Sequence, residues 1–147
     1  MISIQCEPLE NIESEIRAII FQHHSEVEDG DWELEPDYEE YIACSHLGLL
    51  ICTTIRDCDQ LVGYSIDWRF KSLHYKNKLT LVNDMLYIKP EYRHMGLMSK
   101  FFEHLHKQCI EMNVKMHSIN LKVNNPCKQL MTEFGYTNQE LVWMRRF

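Results

Sequence analysis

Apolar residues recur along this chain at two spacings, every second residue or every third to fourth, and the switches between them mark out the elements. Ile2 and Ile4 open a short alternating strand. After Pro8, the helical spacing of Ile12, Ile16, Ile19 and Ile20 predicts a first helix that ends near His24. A second, short helix is expected after Pro36, with Asp37 in its first turn and Tyr38, Tyr41 and Ile42 on one face. Residues 49–56 and 60–70 are rich in β-formers, and Asp57, Cys58 and Asp59 between them have turn chemistry, which predicts an antiparallel hairpin. The apolar run Leu79, Leu81, Val82, Met85, Leu86, Ile88 reads as a central strand stopped by Lys89 and Pro90.

Leu97, Phe101, Leu105, Cys109 and Met112 then recur every three or four residues, with Lys100, Glu103, Lys107 and Glu111 between them, as an amphipathic helix requires. Residues 117–123 predict a further strand, 126–134 a helix closed by Gly135, and 141–147 a final strand. The order β, α, α, β, β, β, α, β, α, β predicts the α/β class, a mixed sheet flanked by helices. At 147 residues one domain spanning 1–147 is the expectation.

Composition narrows the function classes. The 22 acidic against 15 basic residues, a net charge of -7, disfavour nucleic acid and membrane surfaces and favour a cationic partner. Nine of the carboxylates (Glu26, Glu28, Asp29, Asp31, Glu33, Glu35, Asp37, Glu39, Glu40) crowd into 15 residues. No apolar run approaches the ~20 residues of a membrane span, and the first residues lack the basic and apolar stretches of a signal peptide, so a cytoplasmic protein is expected. The six cysteines form no C-x-x-C pair and read as reduced thiols. The eight histidines show no metal-ligand spacing on one element, and no metal is predicted.

The chemistry concentrates where the central strand meets the amphipathic helix, at Asp84-Met85-Leu86-Tyr87-Ile88-Lys89-Pro90-Glu91-Tyr92-Arg93-His94-Met95-Gly96-Leu97-Met98. The N–H groups of a first helical turn have no intrahelical partner and the helix dipole adds partial positive charge, so such a junction can hold a pyrophosphate. Gly96 permits close approach of a phosphate or a positive φ. This segment resembles the GNAT acetyltransferases, whose coenzyme A turn has the form Arg/Gln-x-x-Gly-x-Gly/Ala. Arg93 and Gly96 match it, and the later strand, Asn124, helix and Gly135-Tyr136 follow the family's order. The sequence is also similar to small GNATs encoded by bacteriophages.

The resemblance implies a GNAT fold with a sheet of six to seven strands, in which the strand at 79–88 and the next one splay apart around the pantetheine arm. It implies acetyl-CoA as co-substrate, held by Leu86, Tyr87, Ile88, Arg93, His94, Met95, Gly96, Leu97, Met98, Ser99 and Asn124, with backbone N–H groups near Leu86 and Ile88 polarising the thioester carbonyl. The reaction implied is acetyl transfer to a primary amine, whether a small amine, a polyamine or a protein lysine. A homodimer is compatible with the family.

Candidates for the base that deprotonates the amine are Asp84, Glu26, Glu28 and His24. By period-two alternation Asp84 shares a strand face with Leu86 and Ile88, and a polyamine-acetylating GNAT has Glu at the matching position. A hydrogen-bonded structural Asp is the alternative. The acidic run reads either as a solvated face or, with Trp32 and Tyr38, as an acceptor wall. Two residues depart from the family pattern. Met98 stands where Gly or Ala is usual, and Met131 where a tyrosine protonates the leaving thiolate, with Tyr87 and Tyr136 as nearby alternatives. These departures keep open a second hypothesis, a catalytically silent GNAT-fold binding or inhibitor protein.

Overall fold

A computed structural model describes residues 1–27, 33–93, 96–122, 125, 127–140 and 142–145. Among them the chain runs β1 (Ile2–Cys6), α1 (Leu9–Val27), α2 (Tyr38–His46), β2 (Leu50–Asp57), β3 (Gln60–Lys71), β4 (Leu79–Ile88), a 3₁₀ turn (Pro90–Tyr92), α3 (Leu97–Glu111), β5 (Val114–Ser118) and α4 (Lys128–Glu133). The strands form one mixed sheet in the order β1-β2-β3-β4-β5. The first three pairings are antiparallel, and α3 is the crossover that makes β4 and β5 parallel.

Helices cover both faces of the sheet. The stripe Leu9, Ile12, Ile16, Ile19 and Ile20 seats α1 on one face, against Cys52, Tyr64, Ile66 and Tyr87, with Tyr38, Tyr41 and Ile42 of α2 packed alongside. Leu97, Phe101, Phe102 and Leu105 seat α3 on the other, over Ile55, Val62 and Ile88. Each such buried side chain contributes about 1.5–3 kcal/mol. Asp37 caps α2 by accepting the Glu40 N–H (3.0 Å), and Gly135, at φ +83°, closes α4.

The architecture is the expected α/β sheet, with differences at its far end. There are five strands among the described residues, where six to seven were expected. Asn113, at φ +57°, turns the chain straight out of α3, so β5 begins at Val114 and ends at Ser118, earlier than the predicted 117–123. Within the predicted last strand, 142–145 carry no strand, and Val142, Trp143 and Met144 are exposed. β-Propensity expresses packing against a neighbouring strand and does not suffice without one. All six cysteines are free, and among the described residues no helix is long and apolar enough to cross a membrane.

An ion cluster ties α1 to the sheet. Arg56 of β2 donates through Nε to Glu7 (2.8 Å) and through Nη2 to Glu15 (2.7 Å), and Thr54 also donates to Glu7. Burial pushes the Glu7 carboxyl up, but the bonds from Arg56 and Thr54 outweigh it and hold the group below its ordinary value of 4.5. Its stabilisation is therefore complete above that value and is lost as pH falls through the lower folded value. Glu7→Gln is expected to cost about 1.5–3 kcal/mol at neutral pH and to flatten the acid limb of stability, measured by urea unfolding of both proteins across about pH 3 to 6.

Candidate functional site

The two parallel strands part company. β5 pairs with β4 from Leu79 opposite Val114 to Val82 opposite Ser118, and β4 then continues to Ile88 with no β5 residue facing it. On its other side β4 remains paired with β3 to the end, where Lys89 donates its N–H to the Val62 carbonyl (2.9 Å). Antiparallel ladders alternate, so the N–H groups of Ile88 and Leu86 point away from β3, toward the edge that β5 has left.

A β-bulge sits at the mouth of this fork. Met85 lies opposite Ile66 and Asn83 opposite Asp67, which leaves Asp84 as the extra residue. It also overturns one expectation. Leu86 and Ile88 pack against α3, whereas Asp84 turns to the other face, where the Tyr41 hydroxyl of α2 donates to its Oδ2 (2.6 Å). Strict alternation would have kept all three on one face; the extra residue shifts the phase. Burial and the bond to Asp84 raise the Tyr41 phenol well above its ordinary range.

The turn after β4 delivers the chain to α3. Gly96 takes φ +62° at the N-cap position and, among the described residues, no side chain caps the helix, so its first-turn N–H groups have no side-chain partner there. A Cβ at Gly96 would meet nothing within 4 Å, so its backbone sign, and not crowding, favours glycine there. Leu97 is buried in the core, Met98 packs partly buried against the same cluster, and Ser99 is exposed. Met98, where Gly or Ala is usual in the family pattern, thus packs toward the core. His94, Met95, Asn124 and Glu28 lie outside the described residues, as does Trp32.

Glu26, in the last turn of α1, accepts from Arg93 Nη2 (2.6 Å) and from the Tyr87 hydroxyl (3.1 Å). The Arg93 Nε–H goes to the Ile88 carbonyl (2.8 Å). Two residues proposed separately, one for the acceptor and one for the cofactor turn, are therefore one ion pair. His24 is half-buried, while His23 beside it is the one turned inward, with Nδ1 2.8 Å from the Tyr64 hydroxyl and its ring stacked on Tyr87 at 4.8 Å. The signal was present: position 23 continues the stripe of Ile12, Ile16, Ile19 and Ile20. His74 and Tyr75 lie exposed in the β3–β4 link.

On the α3 face a polar network that the sequence did not single out spans three strands. Asp67 is fully buried and accepts from Ser65 Oγ (2.7 Å), Asn83 Nδ2 (3.0 Å) and His117 Nε2 (3.0 Å). The Tyr136 hydroxyl lies 2.6 Å from His117 Nδ1 and 3.3 Å from His106 Nε2, and burial raises its phenol. Ser65 and Asp67 are its trace in the sequence, two polar residues alternating with apolar ones in a central strand. Met131 is buried in the apolar cluster under α3. Among the described residues no group of three or more His, Cys, Asp or Glu could hold a metal ion.

No protein-family model matches the sequence, and no curated protein does. Solved structures match over the whole chain. A ribosomal-protein-alanine N-acetyltransferase from Brucella melitensis biovar Abortus 2308 aligns at 14% identity over 100% of this chain and 99% of its own, with a TM-score of 0.76. An aminoglycoside acetyltransferase from an uncultured soil metagenomic sample aligns at 14% identity over 99% and 95%, TM-score 0.78. A predicted acetyltransferase solved with acetyl-CoA, from Clostridium acetobutylicum, aligns at 12% identity over 99% and 96%, TM-score 0.73. The fold is that of the GNAT acetyltransferases.

Burial first, and then the bond to Glu26, push the Tyr87 phenol up to about 12. The stabilisation linked to this shift is complete below the unfolded tyrosine value near 10 and is lost as pH rises through about 12. Glu26→Gln is expected to lower the Tyr87 pKa while burial keeps it above the ordinary value, read from the tyrosine ring resonances across an alkaline titration.

Proposed function

We propose that the chain is an acetyl-CoA-dependent N-acetyltransferase acting on a primary amine, with residues 1–147 working as one domain. The observation that carries this reading is the fork. A strand edge with the Leu86 and Ile88 N–H groups directed into it is followed by a helix N-terminus with no side-chain cap among the described residues, within a fold shared along its whole length with N-acetyltransferases. The pair suits a ligand with amides in an extended arm and a pyrophosphate at one end, which is the chemistry of coenzyme A. The neighbour solved with acetyl-CoA adds support.

In this reading the thioester supplies an activated acetyl group. The Leu86 and Ile88 N–H groups line the arm and stabilise charge on its carbonyl oxygen, and the first turn of α3, with Arg93, Gly96 and Ser99, takes the pyrophosphate. His94, Met95 and Asn124 belong to the same proposal by position in the motif. The amine approaches from the α1–α2 face, where Asp84 accepts a proton as nitrogen attacks, a C–N bond forms, the C–S bond breaks, and the thiolate takes a proton from a water whose hydroxide receives the proton held by Asp84. Tyr41 orients Asp84. Glu26, Glu28 and the other carboxylates draw a cationic acceptor, with His24 as a further proton carrier.

The named neighbours act on a ribosomal-protein alanine and on aminoglycosides, so the acceptor class is an amine and its identity stays open among small amines, polyamines and protein lysines. The likeness to phage-encoded GNATs, a cytoplasmic location and a homodimer complete the proposal. Burial of Met131 favours the second reading, a silent GNAT-fold binding protein, because it leaves no acid at that position.

Thermal unfolding with acetyl-CoA separates these readings. A ligand at 100 times its dissociation constant adds about 2.7 kcal/mol, and no shift at millimolar acetyl-CoA would sink the enzyme reading. Gly96→Val, forced to hold φ +62°, is expected to abolish most of the shift. If binding is seen, thiol release with a panel of amines identifies the enzyme, and binding without turnover of any amine marks the silent protein. Asp84→Asn is expected to lower kcat ~100-fold or more at unchanged acetyl-CoA affinity; unchanged turnover would remove Asp84 as base.

A further inference from the structure

Asn83 stands at the mouth of the fork, one residue past the last β4–β5 pair and one before the bulged Asp84. It is buried, and its Nδ2 lies 3.0 Å from the Met85 carbonyl, 2.9 Å from Ser65 Oγ, 3.0 Å from Asp67 Oδ1 and 3.4 Å from the Ile66 carbonyl. At the bulge, where the register shifts, the Asn83 amide bridges β4 to β3.

Holding the Met85 carbonyl has a consequence on the other side of the same bond. The Met85 C=O and the Leu86 N–H belong to one planar trans peptide and point in opposite directions. A donor that fixes the carbonyl on the β3 side therefore fixes the direction of the Leu86 N–H on the fork side. The donor itself is anchored. Asp67, fully buried, receives Ser65 and the His117 Nε2–H as well as Asn83. His117 belongs to β5, opposite Leu81, next to the point where the strands part. One polar chain thus runs from the end of β5, through Asp67 of β3, to the peptide after Met85. Aspartate at 83 would set a carboxylate against Asp67 and the Met85 carbonyl, and an aliphatic side chain would remove the donor that these two acceptors share.

We propose that Asn83 is a positioning residue for acetyl transfer, aiming the Leu86 N–H at the thioester carbonyl through the peptide it holds. The proposal rests on the acetyl-CoA reading above. It names a side chain on the α3 face, away from the acceptor side, as a determinant of the chemical step.

The test is infrared difference spectroscopy of acetyl-CoA labelled with ¹³C at the carbonyl, bound to the wild-type protein and to Asn83→Ala, together with steady-state kinetics. The wild type is expected to lower the carbonyl stretch relative to free acetyl-CoA, and Asn83→Ala to return it most of the way. kcat should fall ~10- to 100-fold with KM for acetyl-CoA changed by less than ~3-fold, as for a misdirected oxyanion donor. Ser65→Ala, which leaves the Asn83–Met85 bond in place, should lower the unfolding temperature without moving the stretch. An unchanged stretch and kcat in Asn83→Ala, or an equal change in Ser65→Ala, overturns the positioning role while leaving the acetyltransferase reading intact. Failure of the wild type to bind acetyl-CoA overturns both. Should Asn83→Ala not fold, the wild type alone decides: the Leu86 amide proton is expected to move downfield when acetyl-CoA replaces CoA, and no movement overturns the proposal.

Discussion

Among the described residues, backbone amides at the end of β4 have a partner strand on one side only, and much of the site follows from that. A central strand ordinarily satisfies both edges through its neighbours. Here β5 pairs as far as Val82 and the last part of β4 runs on beside an open edge. The bulge at Asp84 makes the departure sharper by bending β4 and reversing the phase of its side chains. A ligand with amides of its own along an extended arm would match the polar groups at that edge in kind.

The two faces of the sheet divide the work. On the α3 side the interior is apolar around Phe101, Phe102 and Leu105 but polar around Asp67, so the same face both stabilises the sheet and braces the fork. On the α1–α2 side lie Asp84 with Tyr41, and Glu26 with Tyr87 and Arg93. The Glu26–Arg93 pair joins the end of α1 to the turn that leads into α3. A phosphate group near Arg93 would compete with that carboxylate for the same guanidinium, which couples the acidic helix end to the proposed cofactor turn.

Much of the fold was legible in the sequence because its elements carry strong periodic signals. α1, α3 and the strands at 50–57, 60–71 and 79–88 follow from apolar spacing within a residue or two at most ends. Gly96 and Gly135 were readable as turn glycines, and both hold positive φ. Of the predicted last strand, the described residues 142–145 carry no strand: Val142 and Trp143 have β-forming side chains but are exposed, with no strand among the described residues to pack against. His23 was passed over for His24, although the α1 stripe selects it. Asp84 was rightly singled out as a carboxylate in a central strand and wrongly given a face.

The sequence by itself determined most of the segments that become helix and strand, where the chain turns, and that β4 would pass through a glycine turn into α3, since these depend on spacing and on glycine. Only the tertiary structure decided the phase of β4 after the bulge, the union of Glu26 with Arg93 and of Asp84 with Tyr41, and the Asn83–Asp67–His117 network. Each of these joins residues far apart in the chain or depends on one unpaired position in a ladder, and neither leaves a local pattern of hydrophobic and polar residues behind.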